Sequence, residues 1–432
     1  MDRDAWGLPV TTTSIEALAH YDRGARGLLG WEASALDEFQ EATRHDPNLA
    51  VAHAGAAVCL FLEERFAEAR AAAETARAAA ATQSERERGH VESLALLVSG
   101  RPPDAERAMR AHLGAHPRDI VVLQRLYYVW FWQGRFPEML DFTTAMRRHY
   151  TDAPFFGGLH AFAVEEAGRC DEAARLAESA IERDPRDAWA VHALAHALYE
   201  AAAFDPGIGR LPGATGRCVG LNWFRNHLLW HLALMHFGKG DYHRASAIGR
   251  SAFERAPSRI AGDLHDSISL LWRLMLIGED VGPRWAAFAG IARERLDRQG
   301  LLFHAAHLAM ALSAGSDWAT ADRQLSMLRE RAPKDTTGVV AAVLIPLIEG
   351  LHAFAGGDYP RTIDRIEPLR DRIVELGGSR AQRDVFHDTF IEACFRAGDT
   401  ERAQRYLAER LNRRPDHYWK TRRQRGETSP TR

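Results

Sequence analysis

A glycine followed 17 residues later by a proline recurs at Gly100/Pro117, Gly168/Pro185, Gly240/Pro257 and Gly398/Pro415, and each glycine has an alanine five residues on, at Ala105, Ala173, Ala245 and Ala403. One further unit keeps this frame with serine in place of glycine: Ser316, Ala321 and Pro333. A glycine that closes one helix, a small residue that lets the next approach and a proline that ends it describe a helix-turn-helix unit. The prolines Pro47, Pro117, Pro185, Pro257 and Pro333 lie 70, 68, 72 and 76 residues apart. Two units per interval give a period of about 34 to 38 residues, the tetratricopeptide spacing. The chain is therefore expected to be all-α, a tetratricopeptide-repeat superhelix (an α-solenoid) of about eleven helix pairs from residue 13 to 416. Residues 1–12 would be an N-terminal extension and 417–432 a basic, aperiodic, disordered tail. The stretch Phe204–Asn222 carries five glycines and two prolines, so the helix due there is expected to be short, distorted or replaced by a loop.

The 55 basic and 58 acidic side chains nearly cancel, at a formal charge of −3, which argues against a general nucleic-acid or anionic-membrane binder. The longest apolar run, Val339 to Ile348, is interrupted by Pro346 and is too short to span a bilayer. The opening MDRDAWGLPV has early aspartates and no apolar stretch of the secretory type. Cys59, Cys170, Cys218 and Cys394 are scattered without CxxC spacing and read as reduced thiols. A cytoplasmic location is the expectation. No GxGxxG, Walker A or GxSxG signature is present, so nucleotide-binding and common hydrolase readings lack support.

Histidine is the compositional outlier, with 20 residues. On the repeat frame His192 and His196 fall on one first helix, and His227 and His231 on the first helix of the next unit, each pair at i, i+4 on one helical face. Asp263 and Asp266 follow on the next unit, and His304 and His307 one unit later. Imidazoles on neighbouring helices beside carboxylates can hold a divalent transition metal or share a proton. HExxH is absent, and half-buried interhelical packing or a peptide-recognising wall accounts for the same pattern. The aromatics Tyr127, Tyr128, Trp130, Phe131 and Trp132 read as core, while Trp189, Trp223 and Trp230 flank the histidine pairs. Gly377, Gly378 and Ser379 precede a helix starting near Gln382; an ordinary cap is favoured there over an anion site.

On several ordered motifs the chain resembles the tetratricopeptide repeat protein 38 family. They are GLPVTTTSIEA (Gly7 to Ala17), DPNLAVAHA with His53, RERGH ending at His90, DAWAVHALAH (Asp187 to His196), HLLWH (His227 to His231), Asp263 and Asp266 in the segment ending VGPRW, His307, and RIVELGGSRAQRDVF (Arg372 to Phe386) with Arg383. The resemblance implies a single tetratricopeptide superhelix and carries over no catalytic residue. Tyr127 and Tyr128 stand where the family often has a His-Asp pair, and Tyr199 where a glutamate would be.

Two functions remain. One is a binding module that takes a protein or peptide partner on its concave face. The other is an enzyme or small-ligand binder, metal-dependent, in which His192, His196, His227, His231, Asp263, Asp266 and His307 line a site enclosed by the superhelix, the first four as metal ligands.

Overall fold

The computed structural model describes residues 2–151 and 153–427, and among them it is all-α apart from one short antiparallel pairing of Asp2–Arg3 with Pro9–Val10. Eleven antiparallel helix pairs run from Ile15–Gly30 with Ala35–His45 to Arg380–Arg396 with Thr400–Arg413, and a last helix, His417–Glu427, follows. No described helix is long and apolar enough to cross a membrane.

Each of the eleven pairs reverses at a residue in the left-handed region. Seven are glycines (Gly100, Gly134, Gly168, Gly240, Gly278, Gly357, Gly398), and four are Trp31, Glu64, Ala202 and Ser316. Ser316, at φ +59°, does what the glycine does in the frame it was aligned with. The alanine five residues on is fully buried in every framed unit: Ala105, Ala173, Ala245, Ala321 and Ala403 each show 0% exposure. That close approach makes the first helix of a pair an interior element. Leu302–Ala314 is buried along nearly its whole length, whereas its partner Trp318–Arg331 buries only one stripe.

The chain divides into two compact units. One comprises Met1–Trp130, Phe136–Leu194 and Ala214–Asn222; the other comprises Phe131–Arg135, Ala195–Gly213 and Trp223–Arg432. Within the second, the helices Phe224–Lys239, Ala261–Leu276, Leu302–Ala314 and Ile345–Ala355 pack in succession. The helix Arg380–Arg396 then returns to the helix Ala261–Leu276, with Trp272 Nε1 donating to Thr389 Oγ1 at 2.8 Å and Arg273 Nη2 to the Ala381 carbonyl at 2.7 Å. The inner face of this unit thus carries the chain's own helix.

Two expectations are corrected. The Gly/Pro-rich stretch is a regular helix, Phe204–Arg217, with Pro212 inside it. Residues 417–427 are helical: Trp419 is 2% exposed, and His417 lies against Gly240 and 3.2 Å from the Tyr242 hydroxyl. Residues 428–432 of the expected tail lie outside the described residues. Burial of Trp419, with the His417–Tyr242 contact beside it, docks a segment whose composition lacks periodicity.

Two substitutions test the turn geometry by chemical denaturation. Ala202→Gly removes the left-handed strain at φ +55° and should stabilise the protein by about 0.5–1 kcal/mol. Gly240→Ala, at φ +97°, drives its Cβ into the His417 ring at 2.6 Å and should cost more than about 1 kcal/mol.

Candidate functional site

First helices packed on both sides turn their polar i, i+4 residues into the interior. In the second unit this gathers histidines around one carboxylate. Asp266, on Ala261–Leu276, accepts from His227 Nδ1 on Phe224–Lys239 at 2.6 Å. With that proton on Nδ1, His227 Nε2 carries a lone pair, and His231 Nε2 lies 3.3 Å from it. The His196 ring meets His231 edge-on, centroids 4.4 Å apart. One nitrogen from each of His196, His227 and His231 lies within 4.8 Å of the other two, and all three residues are buried.

The second Asp266 oxygen accepts from Gln382 Nε2 at 3.3 Å, and that amide is also 3.3 Å from His265 Nε2. Gln382 is fixed by a capping box: its Oε1 accepts from Ser379 N–H at 2.9 Å, while Ser379 Oγ accepts from Gln382 N–H. The expected ordinary cap is therefore present. Among the described residues no lysine or arginine lies within 4 Å of Asp266; its ion-pair partners are His227 and His265. A fully buried carboxylate in that setting needs positive charge from an imidazolium or a bound cation.

Burial holds His231 well below the usual imidazole range, with His196 and His227 adding to the effect. His265 is held down by burial and then by His307, His304 and His227. Asp263 is pushed up to about 6 by burial, against the hydrogen bond it accepts from Asn226 Nδ2 at 3.1 Å. These are neutral imidazoles at neutral pH, the form that ligates metal.

Each of the other expected residues has its own set of neighbours. His307 donates from Nδ1 to the Phe303 carbonyl at 2.8 Å, and its ring lies among Phe303, Phe386 and His265. His304 accepts from Arg295 Nε at 3.4 Å. His192 belongs to the first unit, where it stacks on Phe162 and Trp189 at 5.2 and 4.5 Å; the division between units falls after Leu194, inside the helix Ala188–Glu200. His90 is also in the first unit, where its Nδ1 donates to Asp119 at 2.9 Å beside Arg86 and His112. His53 faces the Pro47 carbonyl. Tyr127 and Trp130 are buried as expected, and burial pushes the Cys59 and Cys394 thiols up to about 12.

Sequence reasoning did not select His265, Gln382 or Asn226. Gln382 was visible as the N3 residue of a Ser-x-x-Gln cap, but its contact with Asp266 joins helices more than a hundred residues apart.

The fold is that of a tetratricopeptide-type helical-repeat protein. No family model matches the chain. Solved structures similar to it include that of Naa15/Naa10 bound to HypK-THB, at 14% identity and TM-score 0.24, covering 93% of this chain and 64% of that chain. The P58(IPK) TPR domain matches at 14% identity and TM-score 0.23, covering 89% of this chain and 99% of its own. Yeast Tom70 matches at 11% identity and TM-score 0.29, covering 95% of each chain. Likeness of this degree carries no partner or activity over to this chain.

The titrations oppose one another in sign. A histidine held neutral in the fold contributes stability that is present above its unfolded pKa and lost as pH falls below about 6.5. Burial holds His307 at about 3, so His307→Gln should flatten the acid limb between pH 6 and 4 by about one proton, about 1.4 kcal/mol per pH unit. Asp263 is raised, so its contribution is lost as pH rises from about 4 to 6; Asp263→Asn should gain stability over the parent at pH 8 and converge with it at pH 4. Thermal melts across this range measure both.

Proposed function

We propose that the second unit is a metal-binding module in which His196, His227 and His231 hold a transition metal and Asp266 orients the His227 ring. One observation carries the reading. The His227 and His231 Nε2 atoms are 3.3 Å apart, and the far nitrogen of His227 is fixed by a buried carboxylate at 2.6 Å. Two nitrogens on a tetrahedral zinc at about 2.05 Å would be separated by about 3.3 Å. A carboxylate on the non-ligating nitrogen is the usual outer support of a metal-bound imidazole. A cation there would also answer the charge of Asp266, and a set of three histidines leaves a coordination position for water or a ligand. Such a metal supplies Lewis acidity and an acidified water, which supports the class of metal-dependent enzyme or small-ligand binder. The fourth expected ligand, His192, is not needed for this set.

A second reading, a peptide- or protein-binding role, is favoured in the first unit by a cavity of about 550 Å³ whose lining includes Arg147, Arg148, Arg183, Thr144 and His160 and, among the described residues, no carboxylate. It suits an acidic partner segment. The ordered motifs support kinship with the tetratricopeptide repeat protein 38 family.

Elemental analysis of untagged protein by inductively coupled plasma mass spectrometry tests the metal reading. Near-stoichiometric zinc, iron, manganese or copper is expected in the parent and should be lost in a folded His227→Ala/His231→Ala variant. Asp266→Asn should keep the ligands and weaken affinity by about 10- to 100-fold. Parent protein that stays metal-free after incubation with all four metals would overturn it.

A further inference from the structure

The second unit also carries a cavity of about 280 Å³, lined by none of His196, His227 and His231 and walled by the helices Arg380–Arg396 and Thr400–Arg413 and by the turn around Arg370. Five arginines line it, Arg370, Arg380, Arg383, Arg410 and Arg413, against three carboxylates, Asp371, Asp384 and Glu409. Their placement follows from helical spacing: Arg380, Asp384 and His387 share one face, and Tyr406, Arg410 and Arg413 the face opposite.

Several of these guanidinium groups are fixed before any ligand arrives. Arg410 is 3% exposed on its side chain and is held from behind by Asp388 at 2.9 Å and Asp416 at 2.7 Å. Arg413 pairs with Asp384. Arg370 meets Glu409 at 2.8 Å and lies over the Tyr406 ring at 3.8 Å. Arg383 donates to the Gly378 carbonyl. With Arg410 balanced by Asp388 and Asp416 behind the wall, the lining keeps Arg370, Arg380, Arg383 and Arg413 against Asp371, Asp384 and Glu409, an excess of one positive charge. Burial holds His387 down to about 3 against the opposing pull of Asp384, with smaller contributions from Arg413, Arg370 and Arg383.

We propose that this cavity binds a small phosphate-bearing molecule. Guanidinium forks approach from three chain segments, which suits a tetrahedral anion that accepts hydrogen bonds on every side; a planar carboxylate accepts in one plane. The volume admits a metabolite-sized ligand and excludes a nucleic acid or a folded partner. The Val374 and Ile391 side chains offer apolar surface for the rest of such a molecule.

The test is binding of inorganic phosphate and inorganic pyrophosphate, followed by calorimetry and by thermal melting, at an ionic strength matched with potassium chloride. Melting should rise with phosphate or pyrophosphate and stay level with chloride. Arg380→Gln/Arg383→Gln should weaken binding at least tenfold, and Arg370→Gln, on the other wall, several-fold; circular dichroism identifies which variants fold. His231→Ala should bind as the parent does. A parent that responds to phosphate only as it does to chloride, binding undiminished in the folded arginine variants, or binding lost in His231→Ala would each overturn the proposal, the last by placing phosphate at the histidines.

Discussion

Each helix pair depends on one backbone conformation. The eleven reversals take φ values from +55° at Ala202 to +97° at Gly240, and that left-handed step lays the second helix back against the first. At the four positions that are not glycine the step costs about 1–2 kcal/mol, so packing must hold it in place. In the five framed units an alanine with no exposed surface then sets the helix separation, and the first helix becomes an interior element. Any polar residue on a first helix becomes interior. The histidines are inside for that reason, and their electrostatics follow from the turn.

A second constraint closes the lower half of the chain. Arg414, with 0% exposure, pairs with Glu200 at 2.6 Å and with Asp384, and its guanidinium lies 3.9 Å from the centre of the Tyr199 ring. Arg410 adds Asp388 and Asp416. Buried pairs of this kind gain little over apolar packing, but removing one partner strands a charge at about 3–5 kcal/mol. They therefore fix which helix meets which. Residues near 200, 384 and 414 are forced together, and the helix Arg380–Arg396 is held against the inner face, where Gln382 reaches Asp266.

Short-range signals were legible in the sequence because they are local chemistry. The Gly-Ala-Pro frame reports a backbone angle, a contact distance and a helix stop, and it located five of the eleven pairs, Ser316 among them. The i, i+4 histidine pairs were legible for the same reason. The helix at Phe204–Arg217 was not, since Pro and Gly lower local propensity while burial of Phe204 and Leu211 decides the outcome. The role of Gln382 was not, since it depends on a contact across the closed unit.

The interior of the second unit is poorly explained as packing alone. His265 Nδ1, His304 Nδ1 and His307 Nε2 are buried with no hydrogen-bond partner. Each such atom costs about 1–3 kcal/mol that an apolar side chain of similar size would avoid. Beside them lies Asp266, with no arginine or lysine in reach and its strongest bond to an imidazole. On the proposed metal reading, a cation shared by His227 and His231 would answer the carboxylate, use both lone pairs and leave both rings where the helices put them. The physical argument for a metal is therefore a charge argument first, and the ligand spacing follows from it.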